Sequence, residues 1–306
     1  MSVQIKTIKK RIESVRNIKK ITKAMEMVSS YKMKRAINQA LQTRAYAKTA
    51  LELLSSIRNS KEAIHPLLEI RDIKNILVVI FASNKGLCGS YNANVFKKVR
   101  EFIKKNQETK IDFITIGKKA EGKIEKEYGN YVASFIEIPD NPKIEDVFPC
   151  VKLIIDGFLS KKYDQVSLIY TDFISPIKYE VLVRQLLPVS ENALKELIAR
   201  ISARETKEQG LKKGEDLTNL ALCLFEPSVT SVLNEILPHL TEIQLYQSLL
   251  ESNACEHSSR MITMKNASES ATDMIEDLSF SFNQARQSAI TQEILEIASG
   301  SAKTED

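Results

Sequence analysis

No Gly or Pro occurs in the first 65 residues, and none between residues 239 and 299. The nine Gly and eight Pro all fall between Pro66 and Gly300, and only Gly300 lies beyond Pro238. These residues are the commonest breakers of regular structure. The chain therefore carries a long unbroken segment at each end and a compact middle between them. A helix of about 60 residues, at ~1.5 Å per residue, runs ~90 Å, whereas the average globular helix has roughly 11–12 residues. Such helices cannot be buried in one domain. They must pack on each other or on partners, which puts function in mechanics and assembly and not in a cleft.

Both segments carry helical periodicity. In the first, Ile5, Ile8, Ile12, Val15, Ile18, Ile21, Met25 and Val28 follow a 3-4-3-3-3-4-3 spacing, a heptad with a stammer. It continues through Ala36, Ala40, Thr43, Ala47, Ala50, Leu54 and Ile57, whose small Ala residues admit a close partner helix. In the last, apolar and small residues alternate 3-4 from Leu240, Ile243 and Gln247 through His257, Met261, Met264, Ser268, Ala271, Ile275, Leu278, Phe282 and Ala285 to Ala289. This is a sustained coiled-coil seam with His257 and Ser268 as polar interruptions. The first helix runs toward the middle domain and the last runs away from it, so a pair would be antiparallel. Residues 1–59 carry a net +11 and residues 239–300 a net −6, which favours that pairing modestly. The expected register has facing residue numbers adding to about 300, with Met25 near Ile275.

The middle alternates strand and helix patterns. Strands are expected at Asn75–Ser83, Ile111–Ile116, Tyr131–Ile138, Gln165–Phe173, Tyr179–Leu187 and Leu220–Phe225. Helices are expected at Asn92–Lys105, Lys118–Tyr128 and Ile144–Ser160. The order predicts an α/β domain, a Rossmann-like sheet with crossover helices, carried between the two terminal helices. The expected domains are residues 1–60, 70–227, 228–300 and a tail at 301–306, with a polar insertion at 189–218.

Candidate chemistry is sparse. The stretch SNKGLCGSYN stands where a dinucleotide loop would, but only Gly86 and Gly89 are present, so neither GxGxxG nor GxxxxGK[ST] is met. It reads as a tight turn for close strand–helix packing. Asp172 at a strand end has no His, Cys or Ser partner and reads as a cap. Cys88, Cys150, Cys223 and Cys255 form no CxxC, and His65, His239 and His257 are scattered, so no metal site and no disulfide framework is expected. No apolar run of about 18 residues spans a membrane. The basic N-terminus resembles a mitochondrial presequence, but its periodicity runs on to Ile57 without a cleavable boundary, so it reads as a helix start. Its cations surround a helix with no aromatic before Tyr31, which suits pairing with acidic surfaces better than nucleic acid. No catalytic constellation and no cofactor site is present in the pattern.

Four blocks in order along the chain carry a family resemblance: ITKAMEMVSSYKMKRA at 21–36, NKGLCGSYN at 84–92, ESNACEHSSRMITMKNAS at 251–268 and FNQARQSAITQEILEIASG at 282–300. They resemble the gamma subunit of rotary F-type ATP synthases. The resemblance implies a non-catalytic rotor whose terminal helices form an antiparallel coiled coil inside a ring of three α and three β subunits. It implies one copy per complex, with the α/β domain at the foot beside the ε subunit and on the membrane ring of c subunits. It implies a peripheral location on the cytoplasmic side of the inner membrane in a bacterium. Contacts with the catalytic collar map onto Arg286, Gln287 and Thr291, with counterparts at Lys23, Met25 and Glu26, and Arg260 on the neighbouring stretch. The 189–218 insertion lacks the two nearby cysteines of chloroplast relatives, so their redox switch is not expected. The alternative reading is a coiled-coil scaffold whose α/β domain binds a small nucleotide.

Overall fold

The computed structural model describes residues 3–58, 65–189 apart from 130, 137 and 140, and 228–302; side-chain surroundings are given for 5–43 of the first helix and up to 295 of the last. The expected strand Leu220–Phe225, the insertion beyond Val189, Cys223 and the tail past Ala302 lie outside the described residues. So do the side chains of Ala47, Ala50, Leu54 and Ile57.

Two terminal helices, α1 (Val3–Arg58) and α5 (Val229–Ala302), bracket a sheet domain. The chain divides into two compact units, Tyr31–Ser259 and Met1–Ser30 with Arg260–Asp306, so each helix contributes to both.

In the larger unit the strands are β1 (Asn75–Phe81), β2 (Lys110–Ile116), β3 (Ala133–Phe135), β4 (Gln165–Phe173) and β5 (Tyr179–Leu187). The helices between them are α2 (Tyr91–Lys105), α3 (Lys118–Tyr128) and α4 (Phe148–Leu159). The sheet order is β3-β2-β1-β4-β5. The first four strands run parallel and β5 pairs antiparallel with β4. Strand β1 reads as a continuous apolar run because both its faces are covered. Ile76, Val78 and Ile80 pack with Val95 and Val99 of α2 and Ala120 and Ile124 of α3. Leu77, Val79 and Phe81 join a second core with Ile154 and Phe158 of α4, Leu237, Leu240 and Leu249 of α5, and Ala40 of α1.

Two details follow from single residues. The helix expected over Ile144–Ser160 begins as a 3-10 turn, Ile144–Val147, before α4. Pro149 has no N–H to give the preceding turn, so the regular helix starts around it. The β2–α3 turn requires Gly117: its φ is 97°, and a Cβ there would stand 2.0 Å from the Ala82 carbonyl oxygen.

In the smaller unit, α5 follows the expected pattern. Met264, Ser268 and Ala271 are buried, and Ile275, Leu278, Phe282, Ala285 and Ala289 are half-buried among exposed neighbours. Helix α1 departs from expectation. Ile5, Ile8, Ile12 and Val15 start the covered stripe, but it continues through Lys19, Thr22, Glu26 and Ser29 to Met33, Ala36 and Ala40. Ile18, Ile21 and Val28 point outward, 50%, 60% and 54% exposed. The stammer is therefore absent. An unbroken 3-4 alternation keeps one face of the helix inward from Ile5 to Ala40, and a shift of one residue would rotate every later position by about 100°. Helix geometry prevails over local hydrophobicity, and the polar seam satisfies itself: the Thr22 hydroxyl donates to the carbonyls of Ile18 and Lys19, each at 3.1 Å.

Candidate functional site: a filled crevice and an exposed shaft

In a doubly wound sheet, ligands bind beyond the carboxyl ends of the strands where the strand order reverses. Here that point lies between β1 and β4. Three features close it. The loop after β1 folds on itself, with the Ser83 N–H donating to Asn92 Oδ1 at 3.1 Å and Asn92 Nδ2 donating to Ser83 Oγ at 2.7 Å. The Tyr91 N–H, at the start of α2, is taken by the Cys88 carbonyl at 3.2 Å, and the Asn94 N–H by the Ser90 carbonyl at 2.9 Å. Several of the donors that a phosphate would use are thus spent within the loop. Leu87 and Gly89 both take positive φ, 61° and 53°, to make this turn.

Helix α5 fills the remaining space. The Thr171 N–H of β4 donates to Ser252 Oγ at 3.3 Å, and Cys255 Sγ donates to the Thr171 carbonyl at 3.6 Å. Ser259 Oγ donates to the Cys88 carbonyl at 2.6 Å, and Tyr179 OH donates to Ser259 Oγ at 3.4 Å. Ser258 Oγ donates to the Pro176 carbonyl in the β4–β5 turn. Cys88, Tyr91 and Cys255 form a small apolar cluster with Phe173 and Tyr179 beside them. Burial, reinforced by the charges of Glu256 and Cys255, raises the Tyr91 hydroxyl well above its ordinary range. From Leu240 to Arg260 nearly every side chain of α5 is buried or half-buried, as expected of a helix enclosed on all sides. The sequence pattern missed this because the stretch is rich in Ser, Gln and Glu. The only local signal was the 4-3-4 spacing of small residues at Ser248, Ser252, Cys255 and Ser259.

Asp172 is buried within β4, opposite Glu180 of β5. Among the described residues no His, Cys, Asp and Glu cluster could hold a metal ion. Cys88, Cys150 and Cys255 are buried, and none of the three is in a disulfide.

The expected contact residues separate into three groups. Arg286, Gln287 and Thr291 are exposed near the end of α5, where Ile290, Ile294 and Leu295 are also 48–63% exposed. The Thr291 hydroxyl is turned back onto the Gln287 carbonyl at 3.0 Å. Lys23 is exposed and pairs with Glu26 at 3.0 Å, while Met25 and Glu26 are half-buried. Arg260 is buried, only 7% exposed.

A family model described as ATP synthase matches residues 4–303. The chain is 36% identical to the ATP synthase gamma chain of Trichlorobacter lovleyi over 299 residues, covering 97% of both. It is 37% identical to that of Chloroflexus aurantiacus over 301 residues, covering 96% of this chain and 97% of the relative. The chain belongs to the ATP synthase gamma chain family. It is a non-catalytic subunit of ATP synthase and the rotor of its central stalk. The fold is similar to the rotor of the Euglena gracilis mitochondrial ATP synthase, with TM-score 0.62 at 18% identity over 94% of this chain and 99% of that one. It is also similar to a chain of the Tetrahymena thermophila mitochondrial central stalk and c-ring, with TM-score 0.58 at 26% identity over 81% and 99%. No described helix is long and apolar enough to cross a membrane.

Proposed function

We propose that this gamma chain couples proton flow through the membrane sector to ATP synthesis and hydrolysis at the catalytic β subunits. Its shaft turns inside a ring of three α and three β subunits. Its sheet domain stands at the foot with the ε subunit and the ring of c subunits, on the cytoplasmic side of a bacterial membrane. The observation that carries this is the pair of faces on α1. One stripe is covered within the chain, and a second, apolar one at Ile18, Ile21 and Val28 faces out. A shaft enclosed by a close-fitting collar needs both.

The two helices pair as an antiparallel coiled coil. In the larger unit Thr43 and Ile243 line one open groove of about 340 Å³, with Gln39 and Tyr246 beside them. This favours a register in which facing numbers add to about 286 over the expected sum of about 300. Carried along the shaft, this register sets Ile12 against Ile275, Val15 against Ala271, and Thr22 against Met264. Each of these positions is buried or half-buried. Exposed Arg286 and Gln287, with Thr291 and Lys23, then remain as contacts to the collar.

The test is purification of the whole complex. This chain is expected at one copy per three α and three β subunits, and the purified chain alone is expected to hydrolyse no ATP. The scaffold alternative instead requires nucleotide binding by the sheet domain. Its crevice is occupied by α5, which argues against that reading.

A further inference from the structure

The crevice contacts described above are directional, and they touch α5 on more than one side. Ser252 and Ser259 are seven residues apart and share a helix face, while Ser258 lies about 100° around the axis. Their partners come from separate elements: the end of β4 at Thr171, the β4–β5 turn at Pro176, and the loop after β1 at Cys88. Tyr179 of β5 ties the arrangement together, since its hydroxyl meets both Ser90 Oγ at 3.3 Å and Ser259 Oγ at 3.4 Å. Apolar packing alone resists withdrawal of a helix from its seat but opposes rotation weakly, because it is non-directional. Hydrogen bonds on two sides of the axis oppose rotation in both senses.

We propose that the carboxyl ends of β1 and β4 form a seat that grips α5, and that Ser252, Ser258 and Ser259 are positioning residues through which the sheet domain turns the shaft. The sheet's ligand crevice is thus used for torque, with the chain's own helix as its occupant. This rests on the rotor reading above.

The test uses the complete complex in membrane vesicles, with Ser252→Ala, Ser258→Ala and Ser259→Ala combined. Three things are measured: ATP hydrolysis by the detached catalytic head carrying this chain, protons pumped per ATP with and without an opposing gradient, and amide exchange of residues 248–259. Head hydrolysis should stay within about twofold of wild type, because no collar contact is altered, while pumping per ATP against the gradient should fall by about threefold or more as the directional contacts go. Amide exchange of the gripped segment should rise. Ser259→Thr, which keeps the hydroxyl, should restore the ratio when introduced in place of Ser259→Ala. If the triple variant does not assemble, Tyr179→Phe with Ser259→Ala decides the matter by the same readouts, since it removes one ring hydroxyl and one side-chain oxygen. Wild-type pumping per ATP under both loads, with unchanged exchange, would overturn the seat. Absence of the wild-type chain from the purified complex would overturn the rotor reading instead.

Discussion

Thr43 of α1 and Ile243 of α5 line the same groove, so the two helices lie side by side at that level. On the proposed register, with facing numbers adding to about 286, Thr22 stands opposite Met264, and both are buried. Thr22→Cys with Met264→Cys should therefore crosslink under mild oxidation in the assembled complex. Met25→Cys with Ile275→Cys should not, because that pair belongs to a register displaced by about 14 in the summed residue numbers, outside the ~4.4–6.8 Å Cα separation of a disulfide. Gel analysis of the oxidised chain decides between them.

The outward stripe on α1 makes a prediction of the opposite kind. Ile18→Ser with Ile21→Ser removes side chains that are 50% and 60% exposed. The urea midpoint of the chain should hardly move, within roughly 0.5 kcal/mol per site. Incorporation into the catalytic head should drop. A chain destabilised as much as a core variant would mean that this face is covered from within.

Arg286→Ala with Gln287→Ala should lower ATP turnover of the complex more than it lowers the amount of this chain in it. Both side chains stand exposed on α5, while Phe282, Ala285 and Ala289 supply the covered face. Charge-assisted contacts from Arg are among the stronger hydrogen bonds available to it. Normal turnover in the double variant would remove these residues from the collar contacts.

Gly117→Ala should be severe. The backbone φ of 97° and the Ala82 carbonyl 2.0 Å from the new Cβ leave no room without moving β1 or α3. A loss of roughly 4 kcal/mol or more is expected, the range reserved for backbone strain and overpacking. Soluble yield and urea denaturation would show it.

Alkaline pH should loosen the sheet domain through Cys150. Burial pushes its thiol up to about 12. The folded state therefore holds this proton above the ordinary thiol range, where the unfolded chain releases it. Stability is full below about pH 8.5 and falls as pH rises from there toward the folded value, by about 1.4 kcal/mol per unit. Denaturation curves at pH 8 and pH 10, compared with those of Cys150→Ala, isolate the effect. Cys150 should also resist alkylation at pH 8 until denaturant is added.

Much of the sheet domain could be read from the residues. The bounds of β4, β5 and α3 coincide with their expected limits, because each is a strongly patterned run closed by a turn. The seam of α5 beyond Arg260 was equally plain, since there its apolar positions coincide with helix geometry. The α1 seam was not. Ile18, Ile21 and Val28 look like core residues, and only the tertiary arrangement distinguishes a stripe that faces its own chain from one that faces a partner. The register could not be read for a related reason. Periodicity says which residues face inward, but it holds no information on which layer meets which. The seat around Ser252 and Ser259 was hidden because small polar residues make a helix look solvated, although each hydroxyl there has a backbone partner.

A crevice occupied by a covalently attached helix has an occupant whose effective concentration does not depend on the cell. Soluble nucleotides would have to displace a tethered competitor already present at the equivalent of millimolar or more. The α5 seat is therefore indifferent to the rise and fall of ATP and ADP around it. In a machine whose neighbouring subunits must respond to those same molecules, this keeps stiffness at the foot of the drive train constant whether the cell is energy-rich or starved.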